Sequence, residues 1–265
     1  MISEFYGFKG HPFSRDISTD SLYRIDSQRE VLSRLQYAAE KKCFAVLTGE
    51  CGSGKSTVIR QLMSSLDQRS YMCMYIADSK LTPRYFYNGL LSQLGMDGRF
   101  YRGDCKRILQ RELEVLEITQ RKTPVVIVDE AHLLTKDMLE ELRFMLNVNA
   151  DSKSPMALIL AGQPELRATL SRQSFTAIRQ RINIYCETKY LDLSQTSEYI
   201  AHQLKTAGYD HEIFSEKAVE EIYSYSNGST REINNVCTSA LMYGTVGRKK
   251  IIDDSDINRV IEGER

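Results

Sequence analysis

The tightest constraint on this chain sits at residues 49–56. Gly49, Glu50, Cys51, Gly52, Ser53, Gly54, Lys55 and Ser56 follow G-x-x-x-x-G-K-[ST] without a gap. An apolar run from Cys43 to Thr48 leads into this segment, and a helical pattern from Lys55 to about Leu66 leads away. Strand, glycine-rich loop and helix in that order predict an α/β fold with a buried parallel strand. They also predict a chemistry. Glycines let the backbone wrap until successive N–H groups face an anion, and the helix N-terminus adds its partial positive charge. Lys55 is then expected to reach the β- and γ-phosphates of a nucleotide and Ser56 to ligate Mg²⁺, with Thr57 beside them in the first turn.

A second segment completes the prediction. Val125-Val-Ile-Val128 is a continuous apolar run that ends in Asp129 and Glu130. A carboxylate at the tip of a buried strand can hold Mg²⁺ through its water shell, the part expected of Asp129. Glu130 stands where a general base is needed to activate an attacking water. Acidic residues also end strands as simple turn formers, and the phosphate loop upstream weighs against that reading. The run Asp129-Glu-Ala-His132 spells the box of one helicase superfamily, but 265 residues are too few for two tandem motor domains. His132 is therefore read as a polar neighbour of the site.

The remaining pattern extends the sheet. Apolar runs at 71–77 and 156–161 join those at 43–48 and 125–128, and helical patterns at 27–41, 84–94, 104–121 and 136–147 intervene. Such alternation argues for a parallel sheet sandwiched by helices, a P-loop nucleotide-hydrolase core. After Leu193 only helices are expected, near 194–207, 215–226, 230–244 and 253–261. Three parts follow: a leader over 1–26 strapped onto the α/β core by Phe5, Tyr6, Phe8 and Phe13, the α/β domain over 27–192, and a small all-α lid over 193–265.

Charge and composition exclude other classes. The 35 basic and 35 acidic residues cancel, so no whole-molecule field draws the chain to nucleic acid or an acidic membrane, and any such contact must be local. No run approaches the ~20 apolar residues of a membrane span, and the opening residues lack a signal-peptide core. Six scattered cysteines show no metal-ligand spacing, so reduced thiols in a cytoplasm are expected.

Other residues are candidates to sense the phosphates. The strand over 156–161 that ends at Gln163 should lie beside the one carrying Asp129, so Gln163 can contact the γ-phosphate or the attacking water; a plain loop residue is the alternative. Arg179 and Arg181 are candidates for a guanidinium offered to a neighbouring subunit's nucleotide, a contribution of ~10³ or more in rate, against a pair of surface arginines. Arg231 lies in the first turn of a helix, where its charge opposes the helix dipole unless an anion compensates. Phosphate is such an anion, so Arg231 is expected to fold the lid over the nucleotide.

These pieces, in this order, resemble the AAA+ superfamily. Phe5-Tyr-Gly-Phe8 with Pro12-Phe13, then Leu22-Tyr23, Gln163-Pro-Glu-Leu166 and Gly228-x-x-Arg231-x-Ile-Asn234 are similar to the ExeA (general secretion protein A) family, across essentially the whole chain. The resemblance implies ATP as the nucleotide, and no guanine-reading N-K-x-D motif is present. Some members are secretion proteins with a membrane helix and a peptidoglycan-binding domain. Others are short stand-alone ATPases that look like regulators of DNA transposition, the TnsC, TniB and MuB class. A chain ending at residue 265 is expected to be of the short kind. That implies a homo-oligomer, ring or filament, on double-stranded DNA, and contact with a transposase or integrase. A secretion-assembly ATPase, or a nucleotide-dependent interaction switch without DNA affinity, is the competing expectation. Gln163 departs from the pattern, since Asn, Ser or Thr is common at that sensor.

One stretch supports DNA directly. Lys80, Thr82 and Arg84 cluster at a helix start, and Arg99, Arg102, Lys106, Arg107 and Arg111 surround Tyr101. The resemblance implies that this region faces a central channel. Lys80, Thr82, Arg84, Arg102 and Lys106 are the candidate phosphate contacts, giving sequence-independent, salt-sensitive affinity. A solvated helix face, offset by Glu112, Glu114 and Glu117, is the alternative.

Overall fold

Five parallel strands stand in the order β2-β3-β4-β1-β5. They are β1 (Phe44–Gly49), β2 (Tyr71–Ala77), β3 (Thr123–Asp129), β4 (Ala157–Gly162) and β5 (Ile184–Thr188). The computed structural model describes residues 2–14, 17–78, 80–146 and 154–263. These divide into two units, one of Ser27–Gly49 and Lys55–Thr188, the other of the N-terminal segment to Asp26, the loop Glu50–Gly54 and the chain from Lys189 onward.

In the first unit, strand alternation sorts side chains onto two faces. Val46, Met74, Ile76, Val126, Val128, Leu158 and Leu160 point to one core. It is closed by α4 (Pro83–Gln93), α5 (Arg102–Ile118), α6 (Lys136–Met145), α7 (Pro164–Ser171) and the short α8 (Thr176–Arg179). Ala45, Leu47, Val125, Ile127, Ala157, Ile159 and Ala161 point the other way, onto α2 (Asp26–Glu40) and α3 (Lys55–Ser65). β1, β3 and β4 are buried almost throughout, as continuous apolar runs in a doubly covered parallel sheet should be. The expected helix over 136–147 ends at Met145, and Asn147 lies outside the described residues. The fifth strand, β5, is absent from the sequence expectation. Among the described residues it pairs only with β1, at the sheet edge, and its mixed side chains (Ile-Tyr-Cys-Glu-Thr) carry no continuous apolar signal.

The second unit holds α1 (Ile2–Tyr6), α9 (Leu193–Thr206), α10 (Glu216–Ser226), α11 (Thr230–Val246) and α12 (Asp254–Gly263). Asp192 caps α9 through a reciprocal capping box with Gln195, and Asn227 ends α10 in the left-handed region. The sequence expectation straps the leader's aromatics onto the α/β core, whereas the structure groups them with the helical unit. Tyr6, Phe8 and Phe13 are buried in this helical core with Tyr199, Ile233 and Leu241, and the Tyr6 hydroxyl donates to the Lys249 carbonyl at 2.9 Å. A short amphipathic segment gains more by filling a small helical core than by covering a sheet already closed on both faces.

Candidate functional site

The sheet brings the predicted acidic residues to its carboxyl end, where ligands bind in open α/β folds. Val128 pairs with Leu160 and Leu160 with Val46, so Asp129 is separated from β1 only by β4, a gap of roughly 10 Å. Alternation places Asp129 on the face of Val125 and Ile127, which is the α3 face. Lys55 and Ser56 open that helix, and the Lys55 ammonium donates to the Gly49 carbonyl at 2.7 Å.

Asp129 is buried and both its oxygens are used. Oδ1 accepts the Glu130 N–H at 2.8 Å, and Oδ2 accepts the Tyr75 hydroxyl at 2.7 Å. Burial, reinforced by the hydrogen bond and charge of Asp129, pushes the Tyr75 phenol far above its ordinary range, so it remains a donor. Among the described residues no group of three or more His, Cys, Asp or Glu could hold a metal by itself. Mg²⁺ takes one or two protein oxygens and otherwise phosphates and water, and Ser56 and Asp129 are the candidates read from the sequence.

Glu130 adopts φ 51°, the left-handed region, at a cost of about 1–2 kcal/mol for a residue with a Cβ. This turn leaves its carboxylate half-exposed, with Oε2 3.6 Å from His132 Nδ1. The largely buried His132 ring also meets Gln163 twice: Nδ1 accepts the Gln163 backbone N–H at 3.4 Å, and Nε2 lies 3.2 Å from the side-chain amide. The Gln163 amide nitrogen faces Nε2, and which of the two donates follows the ring tautomer. Gly162 is required here, because a Cβ would sit 2.9 Å from the His132 backbone nitrogen. His132 is thus wedged between Glu130 and Gln163, more than the polar neighbour read from sequence. The pairing of β3 with β4, expected from the sequence, is what brings His132 to Gln163.

The loop 50–54 belongs with the helical unit. Gly52 and Gly54 have φ 84° and 94°, values that glycine adopts without strain. The Gly52 carbonyl accepts from both the backbone N–H and the hydroxyl of Thr230, at 3.1 and 2.8 Å. The Tyr190 hydroxyl donates to the Cys51 carbonyl at 3.0 Å, and an Arg231 guanidinium nitrogen lies 2.8 Å from the Cys51 sulfur. Ser53 donates to the Glu50 carbonyl at 2.8 Å. A side chain at Gly52 would collide with the Ser229 hydroxyl. The lid helix that carries Arg231 therefore starts directly against the phosphate loop.

Arg179 and Arg181 are half-buried at the end of α8 and just beyond it. Arg179 donates to the Ser171 carbonyl at 2.6 Å, and Arg181 also has a partner. Of the basic stretch, Lys80 is exposed, Thr82 caps α4 by accepting from Tyr85, and Arg84 stacks over Phe100 at 4.6 Å. Arg102 and Lys106 both reach the buried Glu141 carboxylate, at 3.3 and 2.9 Å. The Tyr87 hydroxyl donates to the same group. Burial pushes the Glu141 carboxyl up, but these donors and cations outweigh it and hold it below the usual range. Glu141, Tyr87 and Tyr75 have no role in the sequence reading, because each acts through a distant element.

A family model described as "AAA domain" matches residues 38–170, half of the 265-residue chain. The chain belongs to this family of P-loop nucleotide hydrolases. Within it, the expected ExeA-like kinship stands: General secretion pathway protein A of Aeromonas hydrophila is 31% identical over 247 residues, 91% of this chain. The chain spans 44% of that relative's length. Among solved structures, Cdc6p from Pyrobaculum aerophilum superposes with TM-score 0.74 at 16% identity, over 95% of this chain and 70% of its own. Drosophila ORC bound to DNA gives 0.69 at 16%, over 98% and 65%. The Thermotoga maritima RuvB Holliday junction branch migration motor gives 0.62 at 18%, over 95% and 73%. No described helix is long and apolar enough to cross a membrane.

Proposed function

We propose that this chain is a Mg²⁺-dependent ATPase that assembles as a homo-oligomer on double-stranded DNA and signals its nucleotide state to a transposase or integrase in the cytoplasm. Its working parts are an α/β domain over 27–192 and a lid over 193–265. The grouping of Asp129, Glu130, His132 and Gln163 at the ends of β3 and β4 carries the hydrolytic reading. Lys55 and the loop amides bind the phosphates, and Mg²⁺ held by Ser56 and Asp129 would neutralise their charge. Glu130 takes the proton of the attacking water. Gln163 orients that water or the γ-phosphate, Arg231 carries the lid to the nucleotide, and Arg179 or Arg181 serves the neighbouring subunit.

The DNA part rests on the cations of α4 and α5, and the similar ORC was solved bound to DNA. Duplex DNA should stimulate hydrolysis and promote ATP-dependent oligomers; an unresponsive monomer overturns this part. Glu130→Gln should keep ATP bound and abolish turnover, and retained turnover removes Glu130 as the base. A second reading has its own support. The 31% identity to a secretion protein favours a secretion-assembly ATPase, which would ignore DNA and co-purify with envelope proteins.

A further inference from the structure

Four aromatic side chains on the α4–α5–α6 side of the α/β unit stand out in solvent: Tyr85 at 60% exposure, Phe100 and Tyr101 at 70%, Phe144 at 49%. Single exposed apolar residues are ordinary, but a connected group is not. Two of these rings are in direct contact. The Phe100 and Tyr101 rings pack edge to face at 5.2 Å. Arg84 lies 4.6 Å over Phe100, Arg143 lies 4.5 Å over Phe144, and Lys106 reaches toward Phe144 at 5.9 Å. The tip carrying Phe100 is also held in place. The Asn88 amide donates to the Arg99 carbonyl at 3.2 Å, its oxygen accepts the Arg99 N–H at 3.1 Å, and the Cys105 thiol donates to that Asn88 Oδ1 at 3.0 Å.

A fixed ring face beside guanidinium groups is what an unpaired base with its phosphate needs. Phosphate contact alone leaves the rings unexplained, because a duplex hides its base faces in the stack. Aromatic and arginine side chains are also enriched in subunit interfaces, so a second copy of the chain is the competing occupant that the oligomeric state tests. We propose that this face binds a DNA strand whose bases are unstacked. Phe100 and Tyr101 stack on the bases while Arg99 and Arg107 meet the phosphates. The inference rests on the DNA-binding reading above and adds, to the duplex which that reading names, a locally unpaired strand at this face.

The test binds the full chain, with ATP, to oligo(dT), to an abasic strand of equal length, and to a duplex. Oligo(dT) should bind about tenfold or more tighter than the abasic strand, the effect of one stacked base. Phe100→Ala with Tyr101→Ala should abolish that advantage, leave the melting temperature unchanged and move duplex affinity less than about twofold. The chain has no Trp, so Phe100→Trp supplies a single fluorophore whose emission should be quenched by oligo(dT) but not by the abasic strand. Equal binding of oligo(dT) and the abasic strand overturns the stacking role while leaving DNA binding intact. No binding to any of the three overturns the DNA reading itself. A changed oligomeric state in the double variant, with DNA affinity unmoved, makes the face a subunit contact and also overturns the proposal.

Discussion

Lys106→Met tests whether the basic stretch serves the fold as well as any ligand. Lys106 and Arg102 converge on the Glu141 carboxylate, whose side chain is 7% exposed, against 29% for Lys106 and 61% for Arg102. Breaking a fully buried pair costs about 3–5 kcal/mol, because a charge is left without its partner. Here the lysine is partly solvated, and Arg102 and the Tyr87 hydroxyl stay in place. The expected loss is therefore about 2 kcal/mol, which lowers the melting temperature by roughly 4–8 °C in a chain of this size. Glu141→Gln in the Lys106→Met background removes the stranded charge and should recover about half of that loss. Thermal unfolding followed by circular dichroism reads all four proteins. A Lys106→Met melting point within about 1 °C of wild type, or strictly additive effects, refutes the reasoning. The pH dependence follows from the sign of the shift. The Glu141 carboxyl is held below its ordinary value, so its contribution is complete above the unfolded value of about 4.3 and is lost as pH falls through the lower folded value. The gap between wild type and Glu141→Gln should close in that acid range.

Other perturbations separate the parts of the site. His132→Ala should lower kcat by about 10–100-fold through misplacement of Glu130 and Gln163. Nucleotide affinity should change less than about twofold, and His132→Asn should recover part of the rate; an unchanged kcat disproves the bridging role. Cys51 is exposed in the phosphate loop, so alkylation should block nucleotide binding and prior ATP should protect, as a fluorescent nucleotide would report; intact binding to the alkylated protein misplaces the loop. Gly228 has φ 79°, and an added Cβ would collide with the Leu191 carbonyl. Gly228→Ala should therefore destabilise the helical unit by about 1–3 kcal/mol, read by proteolysis or melting, and a variant as resistant as wild type refutes this. Substituting Lys80 and Arg107 should flatten the salt dependence of duplex binding by about one unit per lost phosphate contact, and an unchanged slope acquits them.

The sequence by itself determined what is local. The phosphate loop, the strands β1, β2, β3 and β4 and most helix positions follow from glycine spacing and from apolar runs, because backbone freedom and burial act over a few neighbouring residues. Only the tertiary structure decided which distant residues meet. The edge strand β5 lacked a continuous burial signal because, among the described residues, it pairs with β1 alone. The leader went to the helical unit because that core had room for aromatics. Tyr75 reaches Asp129 only because β2 pairs with β3, His132 meets Gln163 only because β3 pairs with β4, and Glu141 lies 35 residues from the Lys106 it holds. Hydrogen bonds and buried charges are short-ranged, so their partners exist only once the strand order and helix packing have closed the distance.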